Sequence, residues 1–144
     1  MRAEPQDTSE LVSQVIYGES FKIIEKRANW SLIKLSFDNY SGWIDNKQLI
    51  EVEKRVYDSV NSEINIYSLD LIEFIQIKNK GLLTIPLGST LNNLKLFNHS
   101  YDGDTISRKQ PKENLVKTSL LLVNSPYLWG GRSPFGIDCS RQTT

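Results

Sequence analysis

Trp30-Ser31-Leu32-Ile33-Lys34-Leu35-Ser36-Phe37-Asp38-Asn39-Tyr40-Ser41-Gly42-Trp43-Ile44-Asp45 is the stretch from which the fold is read. Two short runs rich in aromatic and branched residues flank a polar turn at Asp38-Asn39, which is the pattern of a β-hairpin. Outward on the N-terminal side, Ser20-Phe21-Lys22-Ile23-Ile24-Glu25 alternates loosely and Lys26-Arg27-Ala28-Asn29 turns, which adds a strand before the hairpin. Glu10-Leu11-Val12-Ser13-Gln14-Val15 fits a helix by spacing, but its β-branched residues and the following Gly18 favour a strand. Short strands joined by polar turns at this spacing predict a small barrel, with Trp30 and Trp43 as core aromatics.

On the C-terminal side, Glu51-Val52-Glu53-Lys54-Arg55 is a charged boundary, or an amphipathic exit from the first barrel. From Val56 the β-rich character returns. Ile64–Tyr67, Leu71–Ile77, Leu82–Pro86, Leu94–Phe97 and Tyr101–Ile106 are strand-like, and Asn79-Lys80-Gly81 is a tight turn. A second small barrel is expected there. Ser107-Arg108-Lys109-Gln110-Pro111 reads as a linker, with Pro111 well placed to start a helix. The helix is predicted over Lys112–Val123, with Leu115, Val116, Leu120, Leu122 and Val123 on one broad apolar side and Pro126 beyond its end.

Composition bounds the partners. The 144 residues are 39% hydrophobic and 24% charged, which is that of a globular chain and not a disordered one. Seventeen basic and seventeen acidic residues cancel, so nothing favours nucleic acid or an anionic membrane surface. No apolar run approaches the roughly 20 residues of a membrane helix, and Met1–Pro5 lacks the apolar core of a signal peptide. As written, the chain is expected in the cytoplasm, or in the periplasm or outside the cell if residues precede it. One cysteine and one histidine exclude an internal disulfide and a zinc site of the usual type, and no cofactor is expected.

The single cysteine lies in Pro126-Tyr127-Leu128-Trp129-Gly130-Gly131-Arg132-Ser133-Pro134-Phe135-Gly136-Ile137-Asp138-Cys139-Ser140. A glycine pair and a Ser-Pro-Phe-Gly turn lead to an acid, a thiol and a hydroxyl in succession. Gly130–Ser133 lacks the lysine and spacing of a phosphate loop. Glycines that permit positive φ or close approach, followed by a cysteine at a helix start, are a common way to present a thiolate. A thiol is only a few per cent ionised at neutral pH, so a helix terminus and above all a histidine are needed to activate it. His99 lies forty residues earlier and is expected to be an ordinary turn or surface residue.

This stretch resembles the signature of the NlpC-type cell-wall peptidases, papain-like cysteine enzymes that cut bacterial peptidoglycan peptides. Their pattern runs Pro-Tyr-x-Trp-Gly-Gly, a turn, then Gly-x-Asp-Cys-Ser-Gly; Pro126 to Ser140 follows it, and Arg141 stands where the family has glycine. Arg2–Pro5, Ser9–Gln14, Gly18-Glu19, Trp30 and Tyr40–Ile44 resemble the bacterial SH3-like domain that precedes the catalytic domain in one branch of these enzymes.

The resemblance implies a mainly β chain of two SH3-like barrels, 1–52 and 53–108, followed at 109–144 by the first helix and nucleophile loop of an incomplete α+β papain-like domain. Cys139 would be the nucleophile. Its histidine and orienting residue would fall beyond Thr144, so the chain is expected to be an incomplete, inactive piece whose 112–144 segment packs poorly alone. In the branch that cuts the γ-D-glutamyl–diamino acid bond, the substrate's free L-alanine amine would be held by Tyr127, Asp138 and Ser140, with Glu10 and Tyr40 contributed by the barrel. Arg132 would turn outward or meet a carboxylate of the substrate. The alternative is a non-catalytic SH3-like module that binds cell-wall peptide.

Overall fold

The expected hairpin is present in the computed structural model, which describes residues 1–108 and 110–139. β1 (Phe21–Lys26), β2 (Trp30–Leu35) and β3 (Ser41–Asp45) form an antiparallel sheet in that order. Ser31, Ile33 and Leu35 alternate inwards along β2 and are fully buried, as the two-residue period of a strand requires. Ile33, Leu35 and Ile44 make the first core, with Val15, Phe21, Ile23, Tyr40 and Leu49 packed around it. Trp43 is buried as well, with the Arg27 guanidinium 4.5 Å above its ring. The turn works because Asn39 takes φ 61° and the Asp38 carboxylate accepts from the Tyr40 amide at 2.8 Å.

Two expectations fail here. The sheet does not close into a barrel: Arg2 adds a single bridge beside Trp43, with reciprocal backbone bonds of 2.7 and 2.8 Å, and the ladder goes no further. Nor is Glu10–Val15 a strand, since only Leu11 bridges, to Arg2. Its backbone groups go elsewhere: the Glu10 carbonyl accepts from Ala3, and the Val12 amide donates to the Met1 carbonyl.

The second region holds a further three-stranded sheet, β6 (Gly81–Pro86), β5 (Ile72–Ile77), β7 (His99–Tyr101) in spatial order, and a small pair, β4 (Tyr67–Ser68) with β8 (Thr105–Ile106). Neither sheet is closed into a barrel. The β5–β6 turn is the expected one, with Asn79 at φ 63° and Gly81 at φ 101°. Ile75, Ile85 and Leu91 form the core, joined by Leu94, Tyr101 and, from the first region, Tyr17.

The sequence reading missed helix α1 (Lys54–Ser62), where β character was expected from Val56. Val56, Tyr57 and Val60 fall on one helical side and are half-buried, while Lys54, Arg55 and Asp58 face solvent. Leu94–Phe97 is a single helical turn, α2, and not a strand; Asn98 closes it at φ 55°, its amide donating to the Leu94 and Lys95 carbonyls. The Ile64–Tyr67 strand is confined to Tyr67–Ser68.

The predicted C-terminal helix, α3, spans Lys112–Leu120 and ends three residues early. Beyond it the Leu121, Leu122 and Val123 amides bond three residues back, to Thr118, Ser119 and Leu120, so the last turn is tightened. No residue of α3 is buried. The short pair β9 (Arg132–Ser133) and β10 (Gly136–Ile137) then leads to Cys139.

Candidate functional site

The loop Pro126–Asp138 is built on its own backbone. Leu128 and Ile137 are cross-linked by an amide donating to a carbonyl at 3.1 Å, Ile137 donates to Pro126 at 2.9 Å, and Asp138 to Gly131 at 3.0 Å. Asp138 is buried and one of its oxygens accepts the Gly130 amide at 2.9 Å. That bond ties the acid before the thiol to the glycine pair.

The glycines are demanded by space. A Cβ on Gly130, which has φ 70°, would lie 2.7 Å from the Leu11 carbonyl oxygen. One on Gly131 would fall on the Gly136 carbonyl. The first glycine therefore lets the loop lie against the N-terminal segment, and the second lets it fold on itself.

Five side chains complete the seating. Trp129 Nε1 donates to Glu10 at 2.7 Å, and the Arg132 amide donates to the Gln14 side chain at 2.6 Å. The Arg132 guanidinium donates to the Gln14 carbonyl at 2.8 Å and to both oxygens of Glu19, at 3.0 and 2.7 Å. Its expected outward or substrate-facing position is thus corrected: Arg132 meets a carboxylate of its own chain. The irregular backbone of 10–19, of which Glu10–Val15 was expected to be a strand, is the surface on which the loop rests.

Of the residues picked out in the sequence, Tyr127, Asp138 and Cys139 come together at the end of this loop. The Cys139 thiol is free and exposed. Tyr127 bridges Ile137, and its ring is exposed. Local desolvation of its hydroxyl, and then the charges of Asp138 and Cys139, raise the Tyr127 pKa above its ordinary value. Glu10 reaches the loop through Trp129. Tyr40 packs half-buried against the first core. Ser140 lies outside the described residues.

His99, expected to be an ordinary turn or surface residue, ties β7 to the 16–19 turn. Its Nδ1 is 2.9 Å from the Tyr17 hydroxyl, and its ring meets those of Tyr17 and Phe97, both tilted, at centroid distances of 6.0 and 5.7 Å. Among the described residues no group of three or more metal-binding side chains comes together, and no helix is long and apolar enough to cross a membrane. Sequence reasoning missed Gln14 and Glu19 as loop partners. In the sequence Glu19 stands out only as part of a Gly-Glu pair, and nothing local marks an acid whose partner is 113 residues away.

Residues 1–49 match the family described as the bacterial dipeptidyl-peptidase SH3 domain. The chain is distantly homologous to dipeptidyl-peptidases. It is 24% identical to dipeptidyl-peptidase 6 of Lysinibacillus sphaericus, over 96% of this chain and 61% of that protein. It is 26% identical to the gamma-D-glutamyl-L-lysine dipeptidyl-peptidase of Bacillus subtilis, over 89% of this chain and 49% of that one. The enzyme of the same name from Bacillus cereus is 22% identical, over 93% and 49%. The chain therefore spans about half to three-fifths of the length of these curated relatives. No solved structure matches it.

Proposed function

We propose that these residues belong to a cysteine endopeptidase that hydrolyses bacterial peptidoglycan peptides at the γ-D-glutamyl–diamino acid bond, with residues 109–144 opening its α+β papain-like domain. The observation that carries the reading is the exposed Cys139 at the end of a loop seated on the N-terminal domain through Glu10, Gln14 and Glu19. The names of two relatives, gamma-D-glutamyl-L-lysine dipeptidyl-peptidases, support the choice of bond.

In this mechanism the Cys139 thiolate attacks the amide carbon, and backbone amides near the thiol hold the oxyanion. A histidine takes the thiol proton and returns it to the leaving amine. His99, in the second region, is engaged with Tyr17, so that imidazole has to come from outside these 144 residues. The substrate's free L-alanine ammonium is held by Asp138 and Tyr127, with Ser140, Glu10 and Tyr40 as further contacts.

The test is hydrolysis of L-Ala-γ-D-Glu-L-Lys and its N-acetylated form by the natural polypeptide that contains these residues. Cys139→Ser should lower kcat/KM by at least about 1000-fold. Asp138→Asn keeps an acceptor for Gly130 but loses the charge, so it should weaken the free-amine peptide far more than the acetylated one. Equal losses sink the amine pocket.

A second reading, a non-catalytic SH3-like module that binds cell-wall peptide, is favoured by one observation: the sole histidine is committed elsewhere. Binding of the peptide without cleavage, unchanged by Cys139→Ser, would establish it.

A further inference from the structure

We propose that Glu19 is a positioning residue: through Arg132 it fixes the loop that carries Cys139 on the N-terminal domain, and so sets the thiol against the amine-recognising Glu10. The catalytic consequence rests on the hydrolase reading above; the docking does not.

Both side chains of the pair are nearly out of water, Arg132 at 13% and Glu19 at 8% exposure, and they meet in a two-pronged geometry. Such a pair is directional, because the planar guanidinium fork accepts only one orientation of the carboxylate. Buried ion pairs contribute little net stability, since desolvation offsets their attraction; what they fix is arrangement. Glu19 is itself held. Its Oε2 also accepts the Ile16 amide at 3.0 Å, across a turn in which Gly18 has φ 81° and leaves no room for a Cβ beside the Thr90 carbonyl. The Thr90 amide in turn donates to Tyr17 at 2.9 Å, and the Asn93 side chain to the Gly18 carbonyl at 3.1 Å.

The turn at 16–19 is therefore a junction: it is anchored to the second region on one side and grips the loop on the other. From Arg132 the constraint passes directly to the thiol. Arg132 pairs with Ile137 across β9 and β10, and Cys139 is two residues further on. The same docking brings Trp129 to Glu10. Glu10 and Cys139 are thus held in one frame by a contact that touches neither.

The experiment compares the natural polypeptide with Glu19→Gln, which keeps shape and loses charge, and Arg132→Lys, which keeps charge and loses the fork. Hydrogen exchange of the Arg132 amide, the donor to Gln14, should quicken about tenfold or more in both while the β2 amides keep their protection. An unchanged Arg132 amide in a folded variant overturns the docking role. So does a rise only in step with β2, which would make Glu19 a general stability residue. Should Glu19→Gln not fold, Arg132→Lys carries the same test.

In hydrolysis, the preference for the free-amine over the N-acetylated peptide should fall about tenfold, because misplacing Glu10 relative to the thiol affects only the former. Loss of folded protein would lower both alike. An unchanged preference in an active enzyme whose Arg132 amide has loosened overturns the positioning role. If the wild type cleaves neither peptide, the hydrolase reading fails, and the exchange result alone decides the docking.

Discussion

Two neighbouring segments of the C-terminal stretch behave in opposite ways. The loop 126–138, with three glycines and a mixture of polar and aromatic side chains, is joined to the 10–19 segment by five hydrogen bonds. Helix α3, just before it, has an apolar side that the sequence announced plainly, yet Leu115, Val116 and Leu120 are all exposed. Apolar periodicity says which face a helix would bury, whereas close approach and directional polar groups decide what is docked here.

The sharpest way to break this contrast is Gly131→Ala. The added Cβ would fall on the Gly136 carbonyl, with the Leu128 carbonyl oxygen 2.9 Å away, and backbone cannot yield as a side chain can. The Asp138 amide, which donates to Gly131, should then exchange about 100-fold faster, the equivalent of ~3 kcal/mol of local stability. Protection unchanged within about twofold would mean that the loop is not folded in this way.

A smaller effect is expected where the 16–19 turn meets β7. Burial pushes the Tyr17 hydroxyl up to about 12. The folded state thus retains a proton that the unfolded chain releases near pH 10, so the stabilisation is complete below pH 10 and declines as pH rises towards about 12. Tyr17→Phe forfeits the bond to His99 and should cost about 1 kcal/mol at pH 7, the usual net value of one hydrogen bond. It also removes the titration. The difference in urea midpoint between wild type and variant should accordingly narrow as pH is raised from 9 to 11; a difference that widens contradicts the burial of that hydroxyl.

What the sequence disclosed follows the same division. The β2–β3 hairpin and the Asn79–Gly81 turn were legible because their signals are local: alternation, and asparagine or glycine at positive φ. Trp43 was legible as a buried aromatic, whereas Trp30, expected beside it in the core, is only half-buried. Helix α1 was not legible, since Val56, Tyr57 and Val60 are as compatible with a strand as with one side of a helix. The open sheets in place of barrels were hidden because closure depends on pairing between distant segments. Glu19 and Gln14 escaped for a related reason, as each looks like an ordinary surface residue until a loop 113 or 118 residues away is laid upon it.

The smallest expected effect tests the other half of the contrast. An exposed leucine contributes almost nothing to stability, because the hydrophobic term scales with area removed from water, roughly 25 cal/mol per Å². Leu115 and Leu120 are 67% and 62% exposed. Glutamine has nearly the helix propensity of leucine, so Leu115→Gln and Leu120→Gln alter the apolar surface and little else. Each should change the stability of this chain by no more than about 0.5 kcal/mol in urea unfolding. A loss of about 2 kcal/mol or more at either position would show that this face is covered in the folded protein, since only a buried side chain can lose that much. The helix would then be docked as firmly as the loop, and apolar periodicity would have named its partner after all.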